Sequence, residues 1–421
     1  MNAADTAFIL ICAALVMLMT PGLALFYGGL VRAKNVLSTT MHSFVLVGVA
    51  SVVWAIIGYT LAFGPDVAGV IGGLDHLFLK GVGMEPSEAA KTIPHLAFMV
   101  FQCMFAVITP ALISGAYAER ISFRAMLLFS VLWLVLVYAP MAHWVWGGGW
   151  MFKMGALDFA GGAVVHMSSA AAALAAAHVL GRREGYGREP FVPHNLPMTV
   201  LGAGILWFGW FGFNGGSTVC ATGDDVLASI GSIFVTTNIA NGLAAMAFVT
   251  THLATAAGVM GWLAVEWMHS GKPTTLGAAS GAVAGLVAIT PAAGFVEPMP
   301  AMIIGFGGGM LCYGGVLMKK VFKYDDALDV VGVHGVGGTW GALATGLFAS
   351  EAVNGVNGLF YGNPGQLWTQ FLSVVATWLF CYLMSRGIFH AVDALMGLRV
   401  TVDAERAGLD VSEHNERAYE Q

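Results

Sequence analysis

The amino-acid sequence predicts an all-α polytopic membrane protein: eleven transmembrane helices, built as two inverted five-helix halves plus one extra helix. Three observations carry that reading. First, the 421-residue chain is 57% hydrophobic and only 10% charged, where an average soluble domain is roughly 25% charged. A mean hydropathy of +0.77 then requires many bilayer-length apolar runs instead of a single anchor. Second, the positive residues are sorted to alternate loops. Third, two histidines, His166 and His334, lie inside apolar runs at corresponding places in the two halves.

Taken in order, the apolar runs fall at 7–30, 41–63, 95–117, 122–142, 161–180, 196–213, 240–264, 276–295, 300–320, 332–350 and 367–392. The first is expected to break at Thr20-Pro21-Gly22, because proline removes a backbone donor and clashes with the preceding turn. No Lys or Arg precedes it, so it lacks the basic region of a signal peptide. The loops after runs 1, 3, 5, 7 and 9 hold Arg32, Lys34, Arg120, Arg124, Arg182, Arg183, Arg188, Lys272, Lys319, Lys320 and Lys323. The opposite loops hold only Lys80, Lys91 and Lys153. Positive residues stay inside, which puts the N-terminus out and the C-terminus in the cytoplasm, and an odd number of spans satisfies both.

Domain organisation follows. Residues 1–392 form the membrane domain, with halves at roughly 1–180 and 196–350, and 393–421 form a polar cytoplasmic tail. His166 falls in the fifth run and His334 in the tenth, so the halves have opposite orientations, as in many transporters with a midplane site. Gly277-xxx-Gly281-xxx-Gly285 in the eighth run is a close-packing face, within or between subunits. The five cysteines show no metal-ligand spacing and read as buried thiols.

An imidazole in a low-dielectric core costs free energy unless something uses it, so both histidines are functional candidates. Each follows an aspartate, Asp158 in Gly155-Ala-Leu-Asp158 and Asp329 in Asp329-Val-Val-Gly-Val-His334. Both acids are expected to be helix caps or orienting acceptors. His143, His178, His252 and His390 also lie near spans and are read as packed or interfacial. Trp144 and Trp150 are read as interfacial belt. Trp146, in Ala142-His-Trp-Val-Trp-Gly-Gly-Gly149, and Phe101 and Phe105 on one helix face around Gln102 are stronger candidates, joined by Trp210, Phe213 and Ser217 in Gly209–Ser217. Aromatic faces at a mouth can hold a small cation at about 0.5–2 kcal/mol per contact. The glycine runs are not phosphate loops, since neither a strand precedes nor Gly-Lys-Ser/Thr follows them. Two histidines in membrane helices could instead be axial ligands of a b-type haem, which would leave the aromatic mouth without a purpose.

With Ala118-Glu-Arg120, Ala156-Leu-Asp-Phe-Ala-Gly-Gly162, Pro193-His-Asn-Leu-Pro197, Gly397-Leu-Arg399 and Ala407-Gly-Leu-Asp410, these stretches resemble the ammonium transporter (Amt/Mep/Rh) family, on its bacterial Amt side. The resemblance runs from Gly22 to the tail. It implies a non-enzymatic transporter of ammonium or ammonia, with methylammonium a further candidate, built as a homotrimer in the inner (plasma) membrane with one pore per subunit. Phe101, Trp146 and Ser217 then resemble the outer recruitment site, Phe105 and Phe213 the phenyl gate, and His166 and His334 the twin-histidine pair. Trp210 matches a pore-lining position, and Asp158 the buried acid behind the outer site. No metal, cofactor or nucleic acid is implied. The tail is implied to be ordered, to contact a neighbouring subunit and to let a P-II signalling protein plug the exit. A chain that chiefly senses ammonium would share these residues. One departure is the long stretch between Ser217 and Glu266-Trp267, which calls for a longer outer loop or an extended seventh helix.

The physics suits that substrate. Ammonium is nearly the size of potassium, so radius alone cannot separate them. Burying a bare ion in a dry pore costs on the order of 20 kcal/mol by a Born estimate. Ammonium alone can shed a proton and cross as ammonia, along a rail of two neutral imidazoles.

Overall fold

A computed structural model of the chain describes residues 1–218 and 242–419. The expected longer loop or extended seventh helix within 218–240 lies, but for Thr218, outside these residues. The helices are α1 (Ala3–Leu30), α2 (Ala33–Phe63), α3 (His95–Tyr117), α4 (Phe123–Lys153), α5 (Gly162–Leu180), α6 (Leu196–Gly216), α7 (Gly242–Ser270), α8 (Thr275–Ile289), α9 (Pro298–Phe322), α10 (Val331–Gly335 continuing as Val336–Phe348) and α11 (Pro364–Met396). Among the described residues nine of them are long and apolar enough to cross a membrane; α8 and α10 are the shorter members. A two-stranded hairpin, β1 (Asp66–Val67) with β2 (Ile71–Gly72), folds the loop after α2.

Two expectations about boundaries change. α1 does not break at Thr20-Pro21-Gly22 but runs straight through Pro21. Gly22 lies against Ile205 and Leu206 of α6, and that close packing holds the turn around the proline. The eighth span was expected over 276–295 but its helix stops at Ile289, two residues before Pro291. Thr290 still has helical dihedrals (φ −50°, ψ −48°), but Pro291 has no N–H to donate to a carbonyl of the preceding turn, so the helical ladder ends there. The Pro291 carbonyl instead accepts from Phe159 N at 3.1 Å, tying this end to the loop before α5.

Small residues set how close the helices come. The Gly277, Gly281, Gly285 face packs within the chain: a Cβ on Gly281 would stand 2.7 Å from Trp262 Cβ, and one on Gly285 2.9 Å from Thr255 Cα. At the centre α5 crosses α10, where a Cβ on Gly338 would stand 3.1 Å from the Gly162 carbonyl and 3.2 Å from His166 Cβ. Cys12, Cys103, Cys312 and Cys381 are buried free thiols, as expected.

The tail is folded against its own chain. α11 continues to Met396, past the expected boundary at 392, and is followed by α12 (Val402–Ala407) and α13 (Leu409–His414). Asp410 accepts from Leu37 N (3.1 Å) and Ser38 N (2.8 Å), placing a carboxylate on the first turns of α2, where the exposed N–H groups favour an anion. Lys34 Nζ donates to the carbonyls of Glu405 (3.0 Å) and Arg406 (2.6 Å), and Glu413 accepts from Phe123 N (2.8 Å).

Beside the tail lies a buried ionic rim. Glu119 pairs with Arg32 (3.0 Å) and Arg183 (2.9 Å), and Arg183 also pairs with Asp325 (2.8 Å). Burial pushes the Glu119 and Asp325 carboxyls up, but Arg183, with Arg32 and Arg120 beside it, outweighs burial and holds both below the ordinary carboxylate range. Carboxylates held low stabilise the fold above their ordinary pKa of about 4 and lose that contribution as pH falls through the lowered values. Acidifying from neutral pH to below about 4 is therefore expected to loosen the rim. Glu119→Gln should lose about 3–5 kcal/mol at neutral pH, because it leaves Arg183 and Arg32 underpaired. Melting curves of the purified protein across pH check this; a Glu119→Gln protein with the wild-type curve at neutral pH contradicts it.

Candidate functional site

The aromatic and histidine side chains stack into one column. Phe105, on α3, is its upper hub. The Phe101 ring meets it edge-on at 5.0 Å, Trp146 at 5.8 Å and 85°, and Phe213 of α6 at 4.2 Å and 33°. Spacing on α3 explains the first contact, since residues four apart face the same side of a helix. Phe101 also reaches the place where Ser217 begins: a Cβ on Gly216 would stand 2.5 Å from its ring. Ser217 Oγ donates to the Phe213 carbonyl at 2.8 Å, continuing the end of α6.

Below the phenyl pair comes His166, 6.2 Å from Phe213 and stacked on Trp210 at 5.4 Å and 22°. Trp210 Nε1 donates to Thr290 Oγ at 2.9 Å, which fixes the indole plane beneath the gate. His166 Nδ1 lies 3.2 Å from His334 Nδ1, with ring centroids 5.3 Å apart. One of these nitrogens donates and the other accepts. His166 Nε2 is buried and has no hydrogen-bond partner among the described residues.

A cavity of about 10 Å³, bounded by Phe213, Trp210, His166, His334, Ile108 and Leu112, sits against this pair. That is room for about one water-sized molecule. His334 also borders a cavity of about 210 Å³ on its other side, with Tyr27, Trp262, Glu266 and Asp329 in its wall. Asp329 in turn borders a basic vestibule of about 770 Å³ that includes Arg32, Arg183 and Lys319. The two histidines are thus the narrow point between the phenyl pair and a widening polar exit.

Backbone geometry places both imidazoles. Each sits in a π-helical turn at the start of its helix, His166 in Gly162–Met167 and His334 in Val331–Gly335. Such turns misalign the i→i−4 ladder and are frequent at functional sites. Asp158 caps the first: Oδ1 accepts from Gly161 N (2.8 Å) and Gly162 N (2.6 Å), Oδ2 from Ala163 N (2.7 Å) and Val164 N (3.2 Å). Gly161 enters that cap at φ 117°, a conformation that a side chain would strain. The Asp158 carbonyl accepts from Trp146 Nε1 at 2.9 Å, so one residue positions both the histidine turn and the outer tryptophan.

The second half differs from expectation. Asp329 is not the cap of α10; it has φ 62° and pairs with Lys319 at the vestibule. The carboxylate that accepts from Val331 N, at 2.7 Å, is Asp326. Burial, with Asp329 nearby, pushes its carboxyl up to about 6. The signal was in the spacing: Asp158 stands eight residues before His166, and Asp326 eight before His334. Thr290 and Cys312, whose Sγ donates to the Val333 carbonyl at 3.4 Å beside His334, were also missed. Neither carries a sequence signal, because their partners are distant in the chain. The four histidines read as bland divide: His143 is fully buried on Ala62 O and Asp66, His178 bonds Tyr382, His252 lies tilted against Trp207, and His390 is exposed.

An apolar helical bundle whose buried column narrows at two facing imidazoles and widens into a charged vestibule defines a membrane transport protein. The chain belongs to the Ammonium Transporter Family, which it matches over residues 7–419. It is 53% identical to the ammonium transporter of Bacillus subtilis (strain 168), with 100% of this chain and 99% of that protein aligned. The crystal structure of Candida albicans Mep2 superposes with a TM-score of 0.87 at 36% identity, covering 96% of this chain and 87% of that one. A structure titled Sensor Amt Protein superposes at 0.86 with 28% identity, over 97% and 98%. The protein is thus an ammonium transporter.

Proposed function

We propose that the chain recruits ammonium at Phe101, Trp146 and Ser217, strips a proton near the Phe105/Phe213 gate, and conducts ammonia past His166 and His334. The observation that carries this reading is the Nδ1–Nδ1 separation of 3.2 Å behind stacked phenyl rings. A pair bonded this way shares one proton, leaves the Nε2 atoms for a small polar molecule, and offers no room for a hydrated cation. Potassium, which cannot deprotonate, faces the full desolvation cost and is excluded. Direct contact of the two nitrogens also disfavours the haem reading, which needs an iron atom between them.

In this reading the N-terminus faces out, α1–α5 and α6–α10 are inverted halves, and the protein is a homotrimer in the plasma membrane. The equal Asp-to-His spacing in both halves and their paired π turns support the inverted repeat. Transport is favoured over sensing because the 53% relative carries the name transporter, while the sensor neighbour is 28% identical. Current recording from protein in liposomes tests it: an ammonium gradient should drive a current or luminal alkalinisation, and a potassium gradient neither. Equal responses to both cations would overturn it.

The tail is proposed to dock a P-II protein over the exit and to reach a neighbouring subunit. Truncation after Gly397 removes the Asp410 contacts with α2 and the Glu405 and Arg406 carbonyls that Lys34 of α2 holds, and is expected to weaken P-II inhibition. Unchanged P-II affinity of the truncated protein would count against that role.

A further inference from the structure

On the face of the bundle away from the pore, a groove of about 680 Å³ runs between α9 and α11, floored by α10 and bordered by α5. Its floor includes Gly335, Thr339 and Leu343, and its walls Leu311 and Trp378. These are apolar or weakly polar groups on helices at bilayer depth. The groove's blind side is the histidine turn itself: Gly335 is the residue after His334, and a Cβ there would stand 2.9 Å from the Trp378 ring.

One end of the groove is basic. His178, in its lining, bonds Tyr382 OH through Nδ1 at 3.0 Å, and Arg386 Nη1 donates to the same hydroxyl at 3.0 Å. Trp378, Tyr382 and Arg386 are spaced by four on α11 and so share one face. Across the mouth, Arg182 donates through Nε (3.1 Å) and Nη2 (2.8 Å) to the Lys323 carbonyl, the residue after the groove-lining Phe322. Both guanidiniums are exposed, and among the described residues neither has a carboxylate within ion-pair distance. Arg183, next to Arg182, is fully paired. The mouth therefore holds two cations without a carboxylate partner among the described residues, Arg182 lying over the Tyr186 ring at 5.7 Å, at the end of a slot of acyl-chain character.

We propose that this groove holds an anionic phospholipid of the leaflet on the Arg182 side. One acyl chain lies along α10 behind His334, and the phosphate sits between Arg182 and Arg386. Charge complementarity selects the lipid class, since a zwitterionic headgroup offers the two guanidiniums no net charge. Each basic residue near an anionic headgroup is worth about fivefold in affinity.

Native mass spectrometry of the detergent-solubilised full chain, titrated with phosphatidylglycerol or phosphatidylcholine, tests the assignment. The wild-type protein is expected to retain phosphatidylglycerol preferentially. The Arg182→Gln/Arg386→Gln variant should lose most of that preference, about twentyfold or more if the two contributions multiply. Lys320→Gln, a change at another exposed basic residue, should leave it intact. Leu343→Trp fills the floor and should lower retention of both lipids, and its melting curve shows whether it is folded. The arginine changes are on exposed side chains and keep the test valid if Leu343→Trp does not fold. Equal retention of the two lipids by the wild type, or wild-type preference in the double arginine variant, overturns the proposal. So does disulfide cross-linking between copies through Thr339→Cys, which would show a second copy in the groove.

Discussion

Replacing His166 and His334 together by alanine is expected to end selective ammonium transport. The change removes two rings that stand 5.3 Å apart in the column, below the phenyl pair. The surrounding helices cannot close on the gap. α5 and α10 already touch at Gly338 and Gly162, and the neighbouring Ala170, Ala171, Ala172 and Ala173 are fully buried. The lumen therefore widens. Where it stays dry, ammonia loses the two imidazoles proposed to line its path, and ammonium flux falls to that of protein-free vesicles. Where water enters, the desolvation barrier proposed to exclude potassium drops, and potassium is expected to pass with ammonium. Both results remove the preference of one cation over the other if, as proposed, proton loss is the step that separates them. The measurement is ammonium and potassium flux into liposomes, after size-exclusion and melting controls for folding. Wild-type ammonium flux with potassium still excluded would return the histidines to a packing role.

Much of this architecture is written in local pattern, and the remainder depends on what meets in space. The apolar runs, the sorted Lys and Arg, and His166 and His334 were legible because hydropathy and intramembrane polarity are properties of single positions. The aromatic column was legible in part: Phe101 and Phe105 share a helix face, and Trp146 and Phe213 sit in short motifs. The π turns were not, because a shift from i→i−4 bonding has no side-chain signature; only the caps betray it. Asp326 shows how near the signal came. Three acids stand in Asp325-Asp-Ala-Leu-Asp329, and nearness to His334 pointed to the last, while the register set by Asp158 pointed to the second. Pro21 and Pro291 show the limits of local rules. The first is tolerated because α6 packs against the helix there, whereas the second ends α8 early. Trp210 could be named from its motif, but the Thr290 hydroxyl that holds it lies 80 residues away.

Asp158→Ala is expected to be the most destabilising single change at the site. A carboxylate has about four lone-pair positions, and the four backbone donors from Gly161 to Val164 fill them. Removing it strands those donors in a residue environment only 8% exposed. Each unsatisfied buried donor costs about 1–3 kcal/mol, so even partial relief by water leaves a loss on the order of 4 kcal/mol. Asparagine does not rescue the site, because one of its two polar atoms is itself a donor and would face backbone N–H groups. The consequence reaches the outer mouth, since the Asp158 carbonyl fixes Trp146 Nε1 and the π turn fixes His166. Amide hydrogen exchange is the decisive measurement, because it reads the cap itself. Protection at Gly161–Val164 should collapse in Asp158→Ala and Asp158→Asn, with a lowered melting temperature and reduced ammonium flux. If the carboxylate served instead only to attract the cation, exchange and melting would match the wild type while flux alone fell.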